Sequence, residues 1–86
     1  MQGAERAVRY YFHIHDQGML IPDEEGAEMS GIAEARIEAR ASALDLAIND
    51  LRGGYTIDDR RIVIADENGT VLETISVREA IQNLAH

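Results

Sequence analysis

The sequence predicts an α+β domain. The expected form is a two-layer ββαββα arrangement: a four-stranded, mainly antiparallel sheet packed on one long helix, with a short C-terminal helix beside it. Three observations lead there. Residues 30–52 repeat apolar side chains at helical spacing with no proline. Two pairs of short runs, 8–15 with 19–22 and 60–65 with 70–75, are each joined by a turn holding Asp and Gly. Both halves of the chain then share one order: strand, turn, strand, helix.

Residues 1–7 carry no periodicity and read as a loose lead-in, which leaves 8–86 as a single domain. Val8 to His15 is rich in aromatic and branched residues, as strands are. Alternation sends Tyr10, Phe12 and Ile14 to one face and Arg9, Tyr11, His13 and His15 to the other. Asp16-Gln17-Gly18 is a tight turn, and Met19 to Pro22 is the return strand. An acidic turn, Pro22-Asp23-Glu24-Glu25-Gly26, then leads through Ala27 to Met29 into the helix.

The long helix is expected to bury Ala33, Ile37, Ala41, Leu44, Ile48 and Leu51, which share an arc of roughly 80° at about 100° per residue. Glu34, Glu38 and Asp45 flank that ridge on one side, Arg36 and Arg40 on the other. Ser30 suits the N-cap, its hydroxyl accepting a free N–H, and Gly53-Gly54 the stop. Ile32, Ala35, Ala39, Ala43 and Leu46 form a second, shallower strip on the back. Helix propensity accounts for its alanines. As small side chains that allow close approach, Ala35, Ala39 and Ala43, with Leu46, are also a candidate contact strip for a partner chain.

Tyr55 to Asp59 reads as a loop. Arg60 to Ala65 is apolar on both faces and belongs in the middle of the sheet. Asp66-Glu67-Asn68-Gly69 is a second hairpin turn, and Thr70 to Ile75 the last strand. Ser76-Val77-Arg78-Glu79 forms a capping box before a helix whose apolar side is Val77, Ala80, Ile81 and Leu84.

Composition narrows the functions. Sixteen acidic residues against eight arginines and no lysine give a net charge of −8, which repels phosphate backbones and favours basic partners. Direct nucleic-acid binding is therefore not expected. The absence of cysteine rules out disulfides, thiolate metal sites and a cysteine nucleophile, and it fits a reducing compartment. No signal pattern and no spanning apolar run occur, so no membrane contact is expected and the location is read as cytoplasmic. A chain this short has a thin stability margin, for which homodimerisation is a natural remedy.

Few residues invite chemistry. His13 and His15 share a strand face and form a His-x-His pair that, with Asp23, Glu24 or Glu25, could hold a metal ion or switch a contact on protonation. The plainer reading is two polar residues beside Tyr11 on the outer face of the sheet. The carboxylates between Asp23 and Glu28 lack the spacing of a calcium loop and suit a solvated turn before a helix. Ser30, Ser42 and Ser76 have no nucleophile-elbow context, and Gly53-Gly54 opens no helix. Arg60 and Arg61 read as edge charges that discourage aggregation.

Arg9-Tyr10-Tyr11-Phe12-His13-Ile14, then Asp16 and Gly18, Pro22-Asp23 with Glu25-Gly26, the alanine-rich charged helix, and Asp66 and Gly69 before Val71-Leu72 resemble a family of short proteins of unknown function abundant in rhizobia and other alphaproteobacteria. The resemblance runs from Val8 to about Ala80 and implies a compact α+β domain with no assigned activity, cofactor or catalytic residue. The stretch Tyr10 to Leu51 is also similar to HicB-like antitoxins, which bury a small basic toxin. The expected function is thus a non-enzymatic protein-interaction module without a cofactor. It would bind a protein partner or a second copy of itself through Tyr11, His13 and His15 or through the alanine strip. The alternatives are an antitoxin and a metal-binding protein.

Overall fold

The strand β1 (Val8–Asp16) organises the sheet. It pairs antiparallel with β2 (Met19–Ile21), β3 (Ala27–Met29) and β4 (Arg61–Ala65), and β4 pairs antiparallel with β5 (Val71–Ser76). The order is β2-β1-β4-β5, with β3 on the N-terminal part of β1. The long helix α1 (Ile32–Arg52) and the short α2 (Val77–Leu84) complete the second layer. This computed structural model describes residues 7–16, 18–53 and 60–84. Residues 1–6 of the expected lead-in 1–7, the loop Tyr55–Asp59, Gln17, Gly54, Ala85 and His86 lie outside the described residues.

The α+β class, the antiparallel sheet and both helices follow the sequence, but the described residues form five strands where four are expected. The added one is Ala27-Glu28-Met29, too short to show alternation; it is extended because it pairs Val8↔Met29, Arg9↔Glu28 and Tyr10↔Ala27. The order is therefore βββαββα.

The larger correction concerns α1. Its buried side is Ala35, Ala39, Ala43 and Ala47, at 0–2 % exposure, with Ile32 and Leu46 partly buried beside them. The predicted ridge faces the other way: Ile37 is 67 % and Ile48 49 % exposed, Ala33 and Ala41 are exposed, and Leu44 is half-buried. The side chain of Leu51 lies outside those described. The strip Ala35, Ala39, Ala43 and Leu46 is accordingly occupied by the chain's own sheet and α2 and is not a free surface for a partner.

Volume explains the inversion. The sheet supplies the bulk through Tyr10, Ile62, Ile64 and Ile75, with Phe12 and Ile14 packed at the margin. Each buried isoleucine contributes about 1.5–3 kcal/mol. Alanines on the helix let that surface come close and fill the space at interior density. One ion pair accompanies that facing: Arg36 Nε on α1 meets Glu73 Oε1 on β5 at 2.6 Å, and Glu73 shares the inward face with its cross-strand neighbour Ile64.

The helix ends also differ in detail. The first helical bond runs from Ala35 N–H to Gly31 C=O, and Ser30 does not accept as an N-cap. Its N–H and hydroxyl instead donate to Glu34 Oε1 at 2.7 and 3.0 Å. At α2 the serine half of the expected capping box is present: Glu79 N–H donates to Ser76 Oγ at 2.9 Å. The second hairpin is closed by Asp66, whose Oδ1 accepts the N–H groups of Asn68 and Thr70. Its strands slip register between Ile64 and Ala65.

Candidate functional site

The residues that sequence singles out for binding lie on the sheet face opposite α1. Tyr11, His13 and His15 alternate along β1 and sit beside Ala65, Val63 and Arg61 of β4. The Tyr11 and His13 rings stack, with centroids 6.3 Å apart and planes 16° from parallel. All three are half-buried.

What covers part of this row is the segment between β2 and β3. Ile21 pairs with Ile14 and Ala27 with Tyr10, so residues 22–26 span the stretch of β1 from 11 to 13. The surplus length arches over the outer face and is clasped there. Arg9 Nη1 donates to the carbonyl of Glu25 at 2.7 Å, and Nη2 meets Glu28 Oε2 at 3.2 Å. Gly26 lies against the Tyr11 ring: a Cβ there would come within 2.9 Å of Cε2 and 2.8 Å of the Tyr10 carbonyl. His13 Nδ1 accepts the Asp23 N–H at 3.0 Å.

Asp23 completes the clasp. Its Oδ2 accepts Phe12 N–H at 3.1 Å, and its Oδ1 accepts Glu25 and Gly26 N–H at 3.3 and 3.2 Å. Partial burial pushes this carboxyl up. The N–H groups of Phe12, Gly26 and Glu25, with the His13 ring, outweigh that and hold it below its ordinary value. A carboxylate locked in its charged form by backbone donors is a structural anchor and a poor proton acceptor.

Two of the three predicted residues, Tyr11 and His13, are thus joined to the arch, while His15 stands beyond it next to Leu20 and Arg61. Arg9, Asp23 and Gly26 belong to the same unit, although no single stretch of sequence groups them. The available signal was Pro22-Asp23 followed by Gly26, a turn whose carboxylate sits three residues before a positive-φ glycine.

Among the described residues, no three His, Cys, Asp or Glu side chains gather as a metal site, and Nδ1 of His13 is already engaged. A recess of about 210 Å³ opens on the other side of the sheet. Phe12, Ile14, Ile62 and Leu46 line it, and Ser42, Asp45 and Asn49 stand at its rim. It is apolar with a single carboxylate, so it offers no acid–base pair. Among the described residues, no helix is long and apolar enough to cross a membrane.

A family described as a domain of unknown function (DUF6894) matches residues 9–78. No curated protein and no solved structure matches the chain. The matched span takes in the whole clasp, from Arg9 through Gly26 to Glu28, together with α1, β4 and β5.

Proposed function

The chain belongs to this family of domains of unknown function, and on that premise we propose that it is a non-enzymatic protein-interaction module. One observation carries the reading. Among the described residues the Tyr10 phenol is the one buried titratable side chain, while Met19, Leu20 and Ile21 stand 69, 54 and 49 % exposed on a single short strand. Acid–base catalysis draws on several perturbed titratable groups gathered in one cleft, and a lone buried phenol is not such a group. Alternation sets Leu20 beside His15 on the outer face and turns Met19 and Ile21 to the other, so this edge strand offers apolar side chains on both faces to a partner that grips the hairpin. The binding surface is the β1–β2 hairpin, where His15 and Leu20 lie side by side beyond the arch. Tyr11 and His13 support it from behind the clasp. The net charge of −8 favours a basic partner. An antitoxin covering a basic toxin is one form of the same reading, and a short basic reading frame beside the gene would favour it.

The test is affinity capture from the native cell with two baits, wild type and Leu20→Glu, matched by circular dichroism. A partner held by wild type and lost by the variant is expected. Identical retention by both baits would remove the hairpin from the interface.

A further inference from the structure

We infer that a second copy of this chain packs on the outward face of α1, the two helices running side by side and parallel. The face is apolar where a solvated helix should be polar. Ile37, Ala41, Leu44 and Ile48 follow one another at spacings of 4, 3 and 4, the a/d rhythm of a two-stranded coiled-coil seam. Ile37 and Ile48 are 67 and 49 % exposed and Ala41 is exposed, while Leu44 is half-buried against the chain's own core, so the seam is open at three of its four positions. The opposite side of the same helix is filled by the sheet, and no rotation of α1 buries both.

The charges beside the seam identify the occupant. Glu38 and Asp45 lie along one flank and Arg40 along the other. Two antiparallel copies related by a twofold axis bring like flank to like flank, acid against acid. Two parallel copies bring unlike flanks together. Arg40 then stands in the g position, five residues before Asp45 in the e position of its partner, and the contact repeats across the axis. The seam is complementary to itself in one orientation only. The resulting dimer has four layers, sheet–helix–helix–sheet.

The remaining charge opposes association weakly. A net −8 per chain is spread over the whole surface, and at physiological salt charges further apart than about 8 Å are screened. From Ile37 to Ile48 the seam is only about 17 Å long, so the contact is small and the dimer is a weak, reversible one. This surface lies on the opposite side of the chain from the outer sheet face, so either proposal stands without the other.

Sedimentation equilibrium of the whole chain, from about 1 µM to 1 mM, tests it. Wild type should pass from monomer to dimer within that range. The double variant Ile37→Gln/Ile48→Gln should dimerise at least about tenfold more weakly, with an unchanged circular dichroism spectrum. Arg40→Glu and Asp45→Arg should each weaken the dimer about fivefold, and the two reversals together should restore it. A monomer at every concentration overturns the inference. So does a dimer indifferent to the two glutamines, or charge reversals that do not compensate each other.

Discussion

Asp23 and His13 are bound to each other through the backbone: the Asp23 N–H donates to Nδ1 of His13 at 3.0 Å, while the Asp23 carboxylate takes the N–H of Phe12, next to His13, at 3.1 Å. The two contacts pin the arch 22–26 to β1 from both ends of one residue. They turn a histidine that looks like a ligand into a fastener.

The first prediction concerns acid. Asp23 and Glu34 both sit below their ordinary values of 3.8 and 4.5: Asp23 because its N–H partners and His13 outweigh its burial, Glu34 because Ser30 donates to it twice. A depressed folded value means that the folded chain binds fewer protons than the unfolded one. The stabilisation is complete above the unfolded values and is lost as pH falls through the folded ones. Thermal midpoints measured from about pH 6 down to about pH 2 should therefore fall below about pH 4. Asp23→Asn should flatten part of that slope and cost about 1–3 kcal/mol at neutral pH.

Gly26 is the second. Its φ is +68° and a Cβ would lie 2.8 Å from the Tyr10 carbonyl, so Gly26→Ala meets both strain and a backbone clash. Urea denaturation should show a loss of about 2–4 kcal/mol. Gly18 and Gly69 share the positive φ but have nothing within 4 Å of a Cβ. Alanine there should cost only about 1–2 kcal/mol.

The Arg36–Glu73 pair supplies the third. It joins helix to sheet at 2.6 Å, with side-chain exposures of 43 and 28 %. A double-mutant cycle with Arg36→Gln and Glu73→Gln should give a coupling of about 0.5–1 kcal/mol. It should shrink in about 1 M salt.

The parts legible in sequence were those specified locally. Alternation in Val8–His15, the Asp-Gly turns and the Ser76 cap each need only a few neighbouring residues, and all appear in the structure. The third strand was hidden because Ala27–Met29 has no pattern of its own and takes its conformation from β1. The facing of α1 was misread because the helix is apolar on both sides. The larger side chains, Ile37 and Ile48, make the stronger stripe in sequence, but the space above the sheet is sized for Ala39 and Ala43. Which stripe packs depends on the isoleucines across the interface, information spread over Ile62, Ile64 and Ile75. The site was half legible: alternation put Tyr11, His13 and His15 on one face, but only the long-range bonds from Arg9 and Asp23 reveal that Tyr11 and His13 serve the arch.

The direction in which α1 faces is the foundation of the account, and unfolding free energies of two variants test it directly. Measured at low protein concentration, where the chain is monomeric, Ala43→Leu should lose about 1–3 kcal/mol by overfilling the space against the sheet. Ile37→Gln should stay within about 0.5 kcal/mol of wild type. A tolerated leucine at Ala43 together with a costly glutamine at Ile37 would mean that the ridge from Ile37 to Ile48 is the buried one, and the fold described would be wrong.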